Sequence, residues 1–317
     1  MAGGSEPTAR WFTLPDDGDA PGEDRTVSVR RLAVVGCGQM GAGIAEATAR
    51  AGIDVTVLEV DDAAVARGRE SIVHNVDRAL RSGKLTADER SDALDRIAFT
   101  TDPMALDGAD GAIEAVVEDE AEKRRVFALL DRHLPDALFL ASNTSSVPIM
   151  KLASATTRPQ RVLGLHFFNP VAVMNLVEIV PSLATDARVV ALAQELVSEV
   201  LGKTAIRAPD RAGFVVNALL VPYLLNAIRM LEAGPSSREE IDHGMVNGCH
   251  HPMGPLALCD LIGLDTVLAV SHSLYEEFHE PFYSAPPLLK RMVEGGRLGR
   301  KTGAGFYSYD HGAQRAA

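Results

Sequence analysis

A glycine-spaced turn near the start of the chain, Gly36-Cys37-Gly38-Gln39-Met40-Gly41, constrains the fold more than any other feature. It follows an apolar stretch at 32–35 and runs at once into a helix-forming stretch at 40–51. A second apolar stretch, Val55-Thr56-Val57-Leu58, then ends on an acid, Glu59. Each part of that series answers a geometric need. Gly36 permits a tight turn, Gly38 lets the backbone approach a pyrophosphate, and Gly41 lets helix and strand pack closely. The helix N-terminus, with Gln39 and Met40, offers N–H groups and a positive dipole end to the phosphates. Glu59 lies 18 residues past Gly41, where an acid can hydrogen-bond ribose hydroxyls. NADP would bring a phosphate against this acid, and Val60-Asp61-Asp62 beyond it supplies no basic residue. NAD is therefore the expected cofactor. On the turn alone FAD stays open, because the same turn serves it.

The chain has 317 residues, enough for two domains, with 46% hydrophobic and 23% charged residues. Its net charge of −12, from 31 basic and 43 acidic residues, argues against a nucleic-acid or membrane-surface partner. A polyanionic substrate would have to find a local basic patch. The three cysteines, Cys37, Cys249 and Cys259, have no metal-ligand spacing and suit a reducing, cytoplasmic setting without structural disulfides. Cys37 sits inside the turn and reads as a small packing residue. The longest apolar stretch, 214–228, is interrupted by Asn217, Pro222 and Asn226 and is too short to span a bilayer. Residues 1–28 are rich in Gly, Pro, Asp and Glu and read as a mobile tail, on which Trp11-Phe12 could dock or simply float.

The periodicity predicts helices over 62–81, 118–133 and 186–201, and a capping box at Thr86-Ala87-Asp88-Glu89 opens a further short helix. Strands are predicted at 97–100, 111–117, 138–141, 162–165, 176–180 and 204–207. Strands alternating with helices make a parallel, doubly wound α/β sheet, a Rossmann-type domain over 29–208. Beyond Pro209 the alternation stops. Helices at 213–232, 237–245, 266–277 and 287–294 predict an all-α domain over 209–317.

Oxidising an alcohol by hydride transfer needs a base for the hydroxyl proton and a group that orients the base. His166 ends the apolar run Val162-Leu163-Gly164-Leu165, and α/β sheets bind ligands at strand C-terminal ends. Glu178 stands in the otherwise apolar Leu176-Val177-Glu178-Ile179-Val180, where a carboxylate is costly unless paired. The residues alone leave open a structural histidine with a satisfied core glutamate. Ser142-Asn143-Thr144-Ser145-Ser146 follows another apolar strand and could hold a substrate oxygen, or cap a helix before Pro148 through Ser145 or Ser146. Asn217, in an apolar helix, is either a satisfied amide or a ligand contact. His250-His251 are adjacent, diverge, and have no third ligand at metal spacing, so no metal site is expected. No Gly-x-Ser-x-Gly elbow suggests a hydrolase.

Several motifs in order resemble the 3-hydroxyacyl-CoA dehydrogenase family. They are the glycine turn with Ala42-Gly43-Ile44-Ala45, Glu114-Ala115-Val116-Val117-Glu118, the Ser142–Ser146 run and His166-Phe167-Phe168-Asn169-Pro170. Gly213-Phe214-Val215-Val216-Asn217, His251-Pro252-Met253-Gly254-Pro255, Asp260-Leu261-Ile262-Gly263 and Gly299-Arg300-Lys301-Thr302-Gly303 continue the likeness, which covers about 29–309. The length, without a fused hydratase, resembles the family's bacterial 3-hydroxybutyryl-CoA branch.

The resemblance implies that His166 is the catalytic base and Glu178 its orienting partner. It implies that Ser145 bonds the substrate 3-oxygen, that Asn217 positions substrate and histidine, and that Asn143 lines the site. Glu59, Glu118 and Lys123 match positions that contact NAD. Arg78, Arg81 and Lys84 fall where the family holds the CoA phosphates, though such charges also form solvated faces. Asn175 departs from a lysine the family often carries near the acyl-CoA mouth. The activity implied is reversible, NAD-dependent oxidation of a short-chain (3S)-3-hydroxyacyl-CoA in a homodimer joined through the helical domain. The competing readings are a dehydrogenase of a free hydroxy acid and a non-catalytic NAD-binding protein.

Overall fold

The computed structural model describes residues 29–309. The expectations placed on 1–28 lie outside the described residues. Among the described residues, eight strands form one sheet in the order β3-β2-β1-β4-β5-β6-β7-β8. They are β1 (Arg31–Val35), β2 (Asp54–Leu58), β3 (Ile97–Thr100), β4 (Gly111–Glu114), β5 (Phe139–Ser142), β6 (Val162–Phe167), β7 (Leu176–Pro181) and β8 (Thr204–Arg207). Strands β1 to β6 run parallel, as the alternation requires. β7 does not: it is antiparallel to β6. The eight residues 168–175 between them are too few for the crossover that a parallel pair needs, so the chain simply turns back. This reversal sets His166 directly opposite Glu178 in the ladder.

Helices α1 (Gln39–Arg50), α2 (Asp62–Arg81), α3 (Ala87–Asp95), α4 (Glu120–His133), α5 (Ile149–Ala153) and α6 (Ala187–Glu195) cover the two faces of the sheet. One core joins the sheet to α1, α2 and α6 through Ile44, Ile72, Val76 and Val190. The other joins it to α4 and α5 through Phe127, Leu130, Ile149 and Leu152. Bulk on both faces explains why these strands read as unbroken apolar runs rather than alternating ones. The capping box of α3 forms as expected, with Thr86 and Glu89 bonding each other's backbone N–H. Two other local expectations fail. The 186–201 helix gives way at Leu196 to a π turn over Leu196–Val200. Ser145 and Ser146 do not cap α5: its first N–H groups, of Ile149 and Met150, donate to Asp210 at 2.6 and 2.8 Å.

The C-terminal domain is helical, as predicted: α7 (Val216–Ala233), α8 (Arg238–Cys249), α9 (Pro255–Ile262), α10 (Leu264–Phe278) and α11 (Pro287–Glu294). Leu224, Leu225, Leu256, Leu264, Leu274 and Leu289 form its core. The sequence reading lacked α9, because eight nearly all-apolar residues between glycines carry no periodicity to read. α7 starts three residues later than expected. Gly213 and Phe214 adopt φ of 74° and 49°, in the left-handed region, and turn the chain before the helix begins. No single helix among the described residues is long and apolar enough to cross a membrane.

Candidate functional site

The glycine turn is shaped by collisions that a side chain would cause. Gly36 has φ of 87°, and a Cβ there would stand 2.9 Å from the Ala115 carbonyl oxygen. A Cβ on Gly41 would fall 1.9 Å from the Gly36 carbonyl oxygen. Gly38 differs. A Cβ there would meet no protein atom within 4 Å, so protein packing does not require that glycine. Gly38 is the N-cap of α1 and makes no side-chain cap, which leaves the first N–H groups of the helix available to an acceptor. A ligand pressed against the turn accounts for the glycine.

Beside the turn runs a cleft of about 870 Å³. Gly36, Gly38, Gln39, Glu59 and Val60 line it on one side, and Asn169, Pro170 and Val171 on another. Glu59 Oε1 accepts the Cys37 N–H at 2.5 Å, which fixes the carboxylate at the end of β2. Burial, and then the Glu59 charge, push the Cys37 thiol up to about 12, and its sulfur packs where a Cβ on Gly68 would be. Cys37 is thus an inert packing residue. Val60 and Val117, 82% and 70% exposed, form apolar lips. These residues fit a dinucleotide: N–H groups for phosphate, a carboxylate for ribose hydroxyls, apolar edges for a flat base.

Not every expected cofactor residue faces the cleft. The Met40 side chain packs against the core, and Gly43 takes its place in the lining. Lys123 is 1% exposed. Its ammonium lies 2.8 Å from Glu114 Oε1 and 3.1 Å from Glu118 Oε2, so it bears on the site through those carboxylates. Partial burial would raise the Glu118 pKa, but the Lys123 charge and hydrogen bonds from Thr144 and Ser145 outweigh it. The Glu118 carboxyl lies below its ordinary value.

His166 is 6% exposed and lies in β6 itself, not after it. Its Nδ1 is 2.7 Å from Glu178 Oε2. Glu178 Oε1 accepts the N–H groups of Val215 and Val216 at 3.0 and 2.9 Å. A carboxylate accepting on both oxygens makes Nδ1 the donor, which leaves the Nε2 lone pair free to take a proton. Phe168 and Phe214 hold the ring, at centroid distances of 4.6 and 5.5 Å. Asn143 Oδ1 accepts the Phe167 N–H at 2.9 Å, tying the loop after β5 to the histidine's strand. Ser145 stands in that loop, with its hydroxyl 3.4 Å from Glu118 Oε1. Asn217 lies in the first turn of α7, half-buried, next to the two N–H groups that hold Glu178.

The three basic residues expected near CoA phosphates do not converge. Arg78 lines the main cleft and Lys84 a separate polar groove of about 580 Å³, whereas Arg81 lines neither. α2 ends at Arg81 and the chain turns at Gly83, which sends Lys84 away from the helix face. Instead Arg67, Ser71, Asn75 and Arg78 form a polar stripe of α2 along the cleft. Sequence reasoning missed this stripe. Its three- and four-residue spacing, beside the apolar row Ala64, Gly68, Ile72 and Val76, was the available signal. It also passed over Glu114, a fully buried carboxylate at the end of β4.

Fold and cleft together define a two-domain, dinucleotide-dependent oxidoreductase. Residues 31–211 match the family model described as 3-hydroxyacyl-CoA dehydrogenase, NAD binding domain, and residues 213–309 match its C-terminal domain. The chain belongs to the 3-hydroxyacyl-CoA dehydrogenase family, and its cofactor is NAD. It is 57% identical over 284 residues to a 3-hydroxybutyryl-CoA dehydrogenase of Mycobacterium tuberculosis, covering 89% of this chain and 99% of that one. The crystal structure of FadB2 from M. tuberculosis superposes with a TM-score of 0.88 at 57% identity, over 89% of this chain and 100% of that one. That of (S)-3-hydroxybutyryl-CoA dehydrogenase from Ralstonia eutropha gives 0.85 at 44% identity, over 89% and 100%.

Proposed function

We propose that this protein is an NAD-dependent dehydrogenase of short-chain (3S)-3-hydroxyacyl-CoA, 3-hydroxybutyryl-CoA above all, working in both directions. The observation that carries the chemistry is the His166–Glu178 pair, in which one carboxylate orients a ring whose Nε2 is left as a base. When bound, NAD supplies the acceptor for the hydride that leaves C3. His166 Nε2 takes the 3-hydroxyl proton as that hydride departs, and Glu178 stabilises the imidazolium so formed. In the reverse direction the imidazolium returns the proton to the 3-oxo oxygen. Ser145 offers its hydroxyl to the same oxygen, and Asn143 and Asn217 flank the pair and help seat the substrate. The names of the relatives support the CoA ester as substrate.

NADH consumption against a series of 3-oxoacyl-CoA esters tests the reading, with free acetoacetate as control. The C4 ester is expected to react with NADH and acetoacetate hardly at all. Equal turnover of the free acid would favour a hydroxy-acid dehydrogenase instead.

Two further outcomes are expected. NADH is preferred over NADPH, because the extra phosphate would meet the Glu59 carboxylate, and Glu59→Ala narrows the gap. Equal kcat/KM for the two cofactors contradicts that account. The protein also forms a homodimer through its helical domain, where Leu219, Met230, Leu261 and Phe282 are 73%, 51%, 50% and 46% exposed. Light scattering at micromolar concentration reads the assembly directly, and a monomer refutes it.

A further inference from the structure

One oxygen of Glu118 holds a whole loop. Its Oε1 accepts the Thr144 hydroxyl at 2.6 Å, the N–H groups of Ser145 and Ser146 at 2.9 and 3.1 Å, and the Ser146 hydroxyl at 3.0 Å. Its Oε2 faces the Lys123 ammonium, which also holds Glu114. Glu114 Oε2 in turn accepts the Ser142 hydroxyl at 2.7 Å. Both ends of the 142–146 loop therefore hang on carboxylates bridged by one buried lysine. A loop that needed only to pass from strand to helix could be satisfied by water or its own turn. Glu114 and Lys123, both withdrawn from water, cost desolvation that such a role does not require, and they brace a Glu118 whose side chain is still 40% exposed.

The Ser145 contacts divide in a telling way. Its N–H bond to Glu118 is short, at 2.9 Å, whereas its hydroxyl bond is long, at 3.4 Å. The carboxylate thus fixes the backbone of Ser145 and leaves its hydroxyl easily released to another partner. We propose that Glu118 is a positioning residue for the reaction, fixing where the Ser145 hydroxyl stands at the substrate oxygen, with Glu114 and Lys123 bracing it. The proposal rests on the reading of Ser145 as a substrate contact. It gives Glu118 a task on the substrate side of the site, beyond the NAD contact that family resemblance implies.

The test is a double-mutant cycle of Glu118→Gln and Ser145→Ala, with kcat and KM measured on acetoacetyl-CoA at saturating NADH, and NADH affinity read separately by fluorescence. Misplacing a reacting group by about 1 Å costs on the order of 100-fold. Glu118→Gln is therefore expected to lower kcat by about 10- to 100-fold at saturating NADH. The double variant should fall little below Ser145→Ala alone, since the two act as a unit. Thr144→Val, which keeps the carboxylate and deletes its 2.6 Å bond, should lower kcat in the same direction with NADH affinity unchanged. A Glu118→Gln enzyme that loses only NADH affinity and keeps kcat overturns the proposal. So do losses that multiply in the double variant, or full kcat in Thr144→Val. A wild-type protein inactive on every 3-oxoacyl-CoA would overturn the functional reading itself, a result these comparisons keep distinct.

Discussion

His166→Gln is expected to lower kcat by about 10²–10⁴-fold, the usual cost of removing a positioned general base. NADH affinity should barely move, because the nucleotide is held at the glycine turn and Glu59, in a cleft whose lining does not include His166. Glu178→Gln should also lower kcat strongly. Glutamine keeps the shape but loses the charge that stabilises the imidazolium, and its amide can present N–H where Val215, Val216 or His166 needs an acceptor. Because the two residues act together, the double variant should be little slower than the slower single. Near-normal turnover in His166→Gln, or two losses that simply multiply, would show that another group carries the proton.

The second large effect concerns stability. Lys123 and Glu114 are 1% and 0% exposed and 2.8 Å apart. Removing one partner of such a pair leaves the other buried and uncompensated, at a cost of about 3–5 kcal/mol. Lys123→Met should therefore lower the midpoint of urea unfolding markedly, whereas Lys151→Met, which breaks an exposed pair with Glu120, should change it little. The pH dependence follows the sign of the Glu118 shift. Its carboxyl is lowered in the fold, so its contribution is present above the unfolded value and is lost as pH falls through the lower, folded one. Without the Lys123 charge the folded value moves up toward the unfolded one, so this contribution shrinks and less of the variant's stability is lost to acid through Glu118. Equal acid sensitivity of wild type and variant would contradict this.

The parts of the site legible in the sequence were those where a residue type is out of place. Glycines at 36, 38 and 41 stand where a chain can tolerate nothing else or where something must come close. Glu178 breaks an apolar strand, which marks it as paired. The same signal was present at Glu114, inside the strand expected over 111–117, yet it entered only as part of a family motif; the strand in fact ends at Glu114. Periodicity does not distinguish antiparallel β6 and β7 from two parallel strands; only the short connection between them signals the reversal that puts His166 across from Glu178. Contacts across long separations were hidden altogether. The cap of α5 comes from Asp210, some sixty residues on, and Glu118 gathers a loop 26 to 28 residues away.

The Gly213-Phe214 turn has a mechanical consequence. Its two left-handed residues deliver the N–H groups of Val215 and Val216 to Glu178, so the first turn of the helical domain is bolted to the carboxylate that holds His166 Nδ1. Without that turn, Glu178 Oε1 would lose the two N–H donors it has in the fold. The hydrogen bonding of the His166–Glu178 pair is completed only by the second domain. A swing of one domain away from the other would therefore slacken the anchor of the histidine.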